Sequence, residues 1–311
     1  MESICKYSSV KLRPSTPTVT QVSLKRITKL LVSLCYFTLC EAYGMIAILG
    51  RRPRQAQCTV LYYHSVDSRL RGRFARQMDT LVRHTVPVAA DMGSPLAPGH
   101  RYSVVTFDDG LQNVVDNALP ELEKREIPCT IFVIAGILGK TVPWNTVEPD
   151  RALNGIMSEE QLRDLPSKLV TIGAHTMTHP RLPLLAAEAA LREIRGSRLR
   201  LETLLSKKVT LFSFPYGAFN QQLIHQCREA GFERVFTTLP GPAFSNPTEY
   251  VTKRVGLEAS DWPLEFRLKL FGAYAWLPAA FSIKRKILGL RRSFFNRLNP
   301  PDGASHHRVV H

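Results

Sequence analysis

Seven short apolar runs, at residues 59–63, 103–107, 130–133, 170–173, 211–214, 235–238 and 251–255, are separated by stretches with helical patterning. Strands that alternate with helices pair with their neighbours in parallel, so the pattern predicts an α/β fold with a largely parallel sheet. The helices are expected at 74–83, 113–125, 158–165, 186–205 and 221–230. The one at 158 opens with Ser158, Glu159, Glu160 and Gln161, a capping box with acids in the first turn. A chain of 311 residues with 44% hydrophobic content can bury a core of this kind and carry tails, which excludes disorder as the default. No internal repeat is visible.

The formal charge of +15 is unevenly placed. Residues 1–56 carry nine Lys and Arg against Glu2 and Glu41, and residues 262–300 carry eight against Glu265, so each arm holds +7 while 57–261 come to +1. A nucleic-acid-binding domain shows a basic face on its folded body. Here the body is nearly neutral and the positive charge flanks apolar runs, which fits an anionic membrane surface and argues against nucleic acid as a partner. The six cysteines, at 5, 35, 40, 58, 129 and 227, form no CxxC and no metal-like cluster, so neither a disulfide scaffold nor a zinc finger is indicated.

The N-terminal arm is largely apolar from Ile27 to Leu49, but Lys29 and Glu41 divide it into charge-free stretches of eleven and nine residues. A clean spanning helix needs about 20, and an acid near mid-span costs about 2.5–3.5 kcal/mol on insertion. A signal peptide is the competing reading, although its basic leader is long and no convincing small-x-small cleavage site follows Cys40. The expectation is a membrane-embedded or interfacial helix, with basic residues on both sides leaving its orientation open. In the C-terminal arm, residues 270–282 are uncharged and aromatic-rich, and basic residues then alternate with apolar ones from Lys284 to Leu298. That pattern suits a helix on anionic lipid, or one packed on the body with a solvated basic face. The tail after Pro300-Pro301 is expected to be disordered.

In α/β barrels, catalytic side chains gather at the carboxyl ends of strands. Four of the expected strands end in such groups. The run 103–107 leads into Asp108-Asp109-Gly110, neighbouring carboxylates of which one can bind a metal while the other faces substrate. The run 170–173 leads into His175-Thr176-Met177-Thr178-His179-Pro180, two imidazoles at a spacing that suits one cation. Pro180 draws His179 away from helical geometry, so a fixed loop is expected. The run 211–214 leads into Pro215-Tyr216-Gly217, a tight turn able to present backbone N–H groups, and 59–63 leads into His64. Singly, each has a plain structural explanation as a turn or a surface pair. Their order at successive strand ends does not.

At these residues the chain resembles the polysaccharide deacetylases, the NodB-homology family or carbohydrate esterase family four. The stretch from Val104 to Gly110 matches the family's first motif, His175 to His179 the second, and Phe214-Pro215-Tyr216-Gly217 the third. The resemblance covers residues 57–258. It implies a distorted (β/α) barrel of the NodB-homology type, here with basic, membrane-interacting arms at 1–56 and 259–311. Two departures stand out: most members carry an Arg where this chain has Ser213, and most carry a late Leu-x-His, whereas the stretch after Val251 holds no His. The exopolysaccharide-modifying branch, which includes the deacetylases of poly-N-acetylglucosamine, has an early Tyr-His pair and a Pro-Tyr-Gly without the Arg, and Tyr63-His64 fits that branch. Arg254 is a candidate to replace the missing Arg.

The resemblance implies metal-dependent removal of acetyl groups from N-acetylated glycans, and the basic arms add the expectation of membrane association. Asp109, His175 and His179 would hold the metal, Zn2+ by default, with Co2+, Ni2+, Mn2+ or Fe2+ compatible with the same N/N/O set. Asp108 would act as general base, the Tyr216 N–H would help hold the oxyanion, and His64 would protonate the leaving nitrogen. The substrate is expected to be an exopolysaccharide or its precursor. Peptidoglycan or chitin oligomers, and an inactive carbohydrate-binding scaffold of a polysaccharide assembly system, are the alternatives.

Overall fold

The computed structural model describes residues 23–49, 55–92, 96–142, 155–246, 248–283 and 286. The expected basic alternation from Lys284 onward, apart from the helical, exposed Lys286, and the tail after Pro300 lie outside them.

The chain opens with helix α1 (Leu24–Leu49) and strand β1 (Gln57–Tyr63), followed by α2 (Arg71–His84), β2 (Val86–Pro87) and β3 (Arg101–Phe107). A π-helical turn (Val114–Ala118) runs into α3 (Leu119–Glu123) and β4 (Cys129–Val133). Then come α4 (Glu159–Arg163), β5 (Val170–Ala174), α5 (Ala187–Leu205), β6 (Leu211–Ser213), α6 (Gln221–Glu229) and β7 (Arg234–Phe236). The body ends with β8 (Val251–Thr252), β9 (Val255–Gly256) and α7 (Pro263–Leu270). Among the described residues nine strands pair in parallel, in the order β8-β7-β6-β5-β4-β3-β1-β9, with β2 added beside β3. This is the α/β architecture the alternation predicts, curled into the distorted barrel of the NodB type. The Ser158–Gln161 capping box forms, with bonds of 3.1 and 2.8 Å.

The expected strand at 251–255 is instead two. The pair β8 and β9 lie at opposite ends of the strand order although only Lys253 and Arg254 separate them in sequence. One short segment thus pairs with both edges, with β7 on one side and β1 on the other. Serving both edges forces the ladder to break between them, and the break turns Arg254 into the barrel interior, where it is fully buried.

The body also extends past residue 258. Phe266, Leu268 and Leu270 of α7, then Ala273 and Tyr274, are buried in the main core beside Phe74, Met78 and Leu81 of α2. The start of the expected C-terminal arm is therefore core. It is invisible in the sequence because Lys269 and Arg267 alternate with these apolar residues.

Packing between strands sets the tolerance of the sheet. Gly173 on β5 sits where a Cβ would come within 2.4 Å of the Phe132 ring and 3.2 Å of the Leu211 carbonyl. Both neighbours are buried, so a methyl group has no soft side to push. Gly173→Ala is expected to cost about 1–3 kcal/mol, read as a lower urea midpoint with an unchanged slope.

Candidate active site

Side chains alternate along a strand, so Thr106 and Asp108 share one side of β3 while Phe107 packs into the core on the other. The Asp108 N–H donates to the Tyr63 carbonyl at 2.9 Å, carrying the β1–β3 ladder one residue past the strand end. Asp109 and Gly110 then both take positive φ, 71° and 73°, which swings the second carboxylate away from the first. This backbone reversal is how adjacent aspartates come to point in different directions.

The β5 end is built the same way. The His175 N–H bonds the Val133 carbonyl at 2.9 Å, Thr176 (φ 66°) bonds Ala135 through its carbonyl at 3.0 Å, and His179 (φ 62°) donates its N–H to the Thr176 hydroxyl at 3.0 Å. Glu193 of α5 holds the span between the two histidines. Its carboxylate accepts from the Met177 N–H at 2.8 Å, the Thr178 N–H at 2.9 Å and the Thr178 hydroxyl at 2.7 Å. No sequence pattern marks Glu193, because it is one acid among several on a long amphipathic helix.

The result is a buried set of three donors. Atoms from Asp109, His175 and His179 all lie within 4.8 Å of one another, with Asp109 Oδ1 3.5 Å from His175 Nε2 and 3.4 Å from His179 Nε2. His175 Nδ1 is 2.8 Å from the Ser213 carbonyl. A carbonyl only accepts, so Nδ1 carries the proton and Nε2 turns its lone pair toward the cluster, as metal-ligating histidines do when a backbone oxygen orients them. Burial, reinforced by repulsion from His175, pushes His179 down to about 3 against the pull of Asp109 and Asp108. It is therefore neutral near pH 7, the form that ligates. Two imidazoles and one carboxylate, converging and shielded from water, fit a divalent cation.

Asp108 faces the other way, onto Arg254. The guanidinium donates from Nη1 to Oδ1 at 2.8 Å and from Nη2 to Oδ2 at 2.7 Å. Its remaining N–H groups reach the Thr106 hydroxyl at 3.0 Å, the Ser213 hydroxyl at 2.7 Å and the Thr237 carbonyl at 3.1 Å. All five donors are used, and the Tyr62 ring lies 4.8 Å from the guanidinium carbon. Burial pushes the Asp108 carboxyl up, but Arg254, with His175 and His64, more than offsets this and holds it well below the usual carboxylate range. Arg254 thus reaches Asp108 from between β8 and β9, and Ser213 is one of its acceptors.

His64, just past β1, is half-buried and near enough for its charge to lower the pKa of both Asp108 and His179. The Tyr216 ring, half-exposed, sits 4.6 Å from the His179 ring and 4.5 Å from the Arg181 guanidinium. Tyr216 has φ 58°, and its turn is closed by N–H bonds from Gly217 and Ala218 to Phe214 and Pro215 rather than by its own N–H. Gly217 (φ 62°) is required there, since a Cβ would meet the Thr238 hydroxyl at 1.9 Å. The six residues singled out in the sequence, His64, Asp108, Asp109, His175, His179 and Tyr216, all stand at this carboxyl end of the sheet.

Fold and site together define a (β/α) barrel with a buried Asp-His-His centre beside an Arg-held aspartate. Residues 97–235 of the chain match the family model described as polysaccharide deacetylase. Among solved structures it resembles IcaB from Ammonifex degensii, at 26% identity and a TM-score of 0.58 over 70% of this chain and 99% of that one. The Streptococcus pyogenes deacetylase PplD, 16% identical with a TM-score of 0.57 over 69% and 98%, shares the fold. Among sequence relatives, YxkH of Bacillus subtilis is 25% identical over 51% of this chain and 52% of its own length. The poly-beta-1,6-N-acetyl-D-glucosamine N-deacetylase of Staphylococcus epidermidis is 28% identical over 43% and 46%. This chain spans about half the length of these relatives.

Because Asp108 has a lower pKa folded than unfolded, its pairing contributes stability that is complete above the unfolded value and drains as pH falls toward the folded one. Arg254→Met leaves that carboxylate buried without its partner, at a cost of about 3–5 kcal/mol at pH 7. Left buried without a partner, the variant's Asp108 carboxyl is pushed up by desolvation and takes a proton as pH falls, so urea titrations should show the gap from wild type shrinking between pH 7 and pH 3. A gap independent of pH would mean that the loss is one of packing alone.

Proposed function

We propose that the protein removes N-acetyl groups from the amino sugars of an exopolysaccharide or its precursor, and that it does so with a divalent metal, Zn2+ first among candidates. The observation that carries this reading is the pairing of two differently committed aspartates: Asp109 joined to His175 and His179 in a buried donor set, and Asp108 held ionised by Arg254. The name of the Staphylococcus epidermidis relative supports a poly-N-acetylglucosamine type of substrate, as does the Tyr63-His64 pair at the end of β1.

An amide carbonyl is a weak electrophile and its amine a poor leaving group, so hydrolysis needs activated water, a stabilised oxyanion and a proton for the nitrogen. A cation held by Asp109, His175 and His179 supplies the Lewis acidity. The residues of this chain do the rest. Asp108 takes the proton from the attacking water. The bidentate Arg254 clamp fixes which lone pairs face the site. The Tyr216 N–H donates to the oxyanion from a turn whose own bonds do not use it. His64 gives its proton to the departing nitrogen.

Metal analysis of the purified protein, coupled to acetate release from poly-N-acetylglucosamine, chitin oligomers and peptidoglycan, tests the reading. About one metal per chain and release from the first glycan are expected. Asp108→Asn should lower the rate by about 10²–10⁴-fold with metal content retained, whereas His175→Ala should lose the metal. Wild type that binds metal but releases acetate from none of these glycans would move the chain to the scaffold alternative.

The three bonds from Glu193 make a separate prediction. It touches no reacting atom but sets the spacing of the two imidazoles, and losing such a partner typically weakens metal affinity by 10–100-fold. Glu193→Ala should do so in a competitive chelator titration while its rate at saturating metal recovers toward wild type. An unchanged affinity would show that the loop holds its shape without the carboxylate.

A further inference from the structure

Helix α1 has two unlike sides. Arg26, Leu30, Ser33, Phe37, Glu41 and Gly44 recur at three- and four-residue spacing, which places them in one stripe, and these, with Tyr36 at its flank, are the positions that are half-buried or buried. The stripe is keyed to the body along its length. Arg26 donates to the Glu265 carboxylate at 2.8 and 2.6 Å, stands 3.6 Å from Asp261 and lies 4.5 Å from the Trp262 ring. Ser33, fully buried, accepts from the Trp276 indole at 3.0 Å, Phe37 stacks on Phe271 at 5.6 Å, and Glu41 pairs with Arg101. The acid that interrupts the apolar run in the sequence is therefore turned to the protein.

The opposite side is apolar and open. Leu24, Leu31, Leu39, Tyr43, Met45 and Ile46 are between 56% and 77% exposed. The two threonines on this side bond back into the helix, Thr28 to the Leu24 carbonyl and Thr38 to the Cys35 carbonyl, both at 2.9 Å. Hydroxyls satisfied within their own helix ask nothing of a neighbour, as hydrocarbon surroundings require. A protein partner would be expected to meet some polar group on this face. Exposed Lys25 and Lys29, one turn apart, add positive charge of the kind that draws a helix to anionic lipid.

We propose that α1 is a retained membrane-docking helix that lies in the plane of an anionic bilayer, its outer face seated at the hydrocarbon boundary and its inner stripe locked to the barrel. A spanning helix cannot also lie bonded to the body from Arg26 to Glu41, a length of about 22 Å. A cleaved leader would strip Asp261 and Glu265 of Arg26 and uncover Phe271 and Trp276. The proposal stands on the packing of α1 and does not depend on the deacetylase reading.

Flotation of the purified full chain with phosphatidylglycerol-containing vesicles tests it. Binding is expected, weaker to phosphatidylcholine alone and weaker in 0.5 M salt. The double variant Leu31→Glu/Leu39→Glu should lose at least tenfold in vesicle affinity with its urea midpoint unchanged. Intact mass of protein recovered from cell membranes should show α1 still attached. The proposal is overturned by a species that begins after Leu49, by wild type that ignores every vesicle, or by a double variant that floats as wild type does. A wild-type dimer that the double variant abolishes, without vesicle binding, would assign the face to a second copy of the chain instead.

Discussion

One guanidinium closes the barrel and sets the charge of its site. Arg254 occupies the seam where β8 leaves one edge of the sheet and β9 joins the other, and it spends all five donors on oxygens presented by β3 and by the ends of β6 and β7. A buried charge pair contributes little net stability compared with apolar packing, but loss of one partner is expensive. The pairing therefore fixes arrangement more than it adds strength. With Asp108 and Ser213 both bound to the same group, the relative placement of β3 and β6 at the site has little freedom to drift.

Around that fixed point the backbone holds unfavourable conformations. Among the described residues seven non-glycine positions have positive φ, and four of them, Asp109, Thr176, His179 and Tyr216, belong to the site. Each costs of order 1–3 kcal/mol unless its surroundings impose it. Here they do: the Val133 and Tyr63 carbonyls anchor the strand ends, the Thr176 hydroxyl caps His179, and Glu193 pins Met177 and Thr178. The left-handed residues aim consecutive side chains in different directions, so a three-donor cluster and a separate carboxylate can be built from only two strand ends.

That division explains what could be read from the sequence. Strands buried on both faces announce themselves as apolar runs, and side chains at their ends follow directly, so the positions of Asp108, Asp109, His175, His179, Tyr216 and His64 at one end of the sheet were legible. Groups that act through tertiary contact were not. Glu193 looks like any surface acid of α5. The run 251–255 reads as one strand because nothing local signals that it must serve two edges. The same blindness applies to α1, where Glu41 looks like a flaw in an apolar helix until Arg101, sixty residues away in the chain, is placed opposite it.

Ser213 shows why the absence of a residue at a motif position is a weak guide to chemistry. What an ionised aspartate in a dry barrel needs is a positive group within bonding distance of both oxygens, itself fully satisfied by other acceptors. Several inward-facing strand ends surround Asp108, and an arginine from any of them can reach it if the facing positions are small and polar enough to leave room. A serine at 213 leaves that room and supplies an acceptor as well. Here the charge at Asp108 is delivered from the seam between β8 and β9. The constraint lies on the geometry of the carboxylate's partner, and the sequence is free to meet it from more than one place.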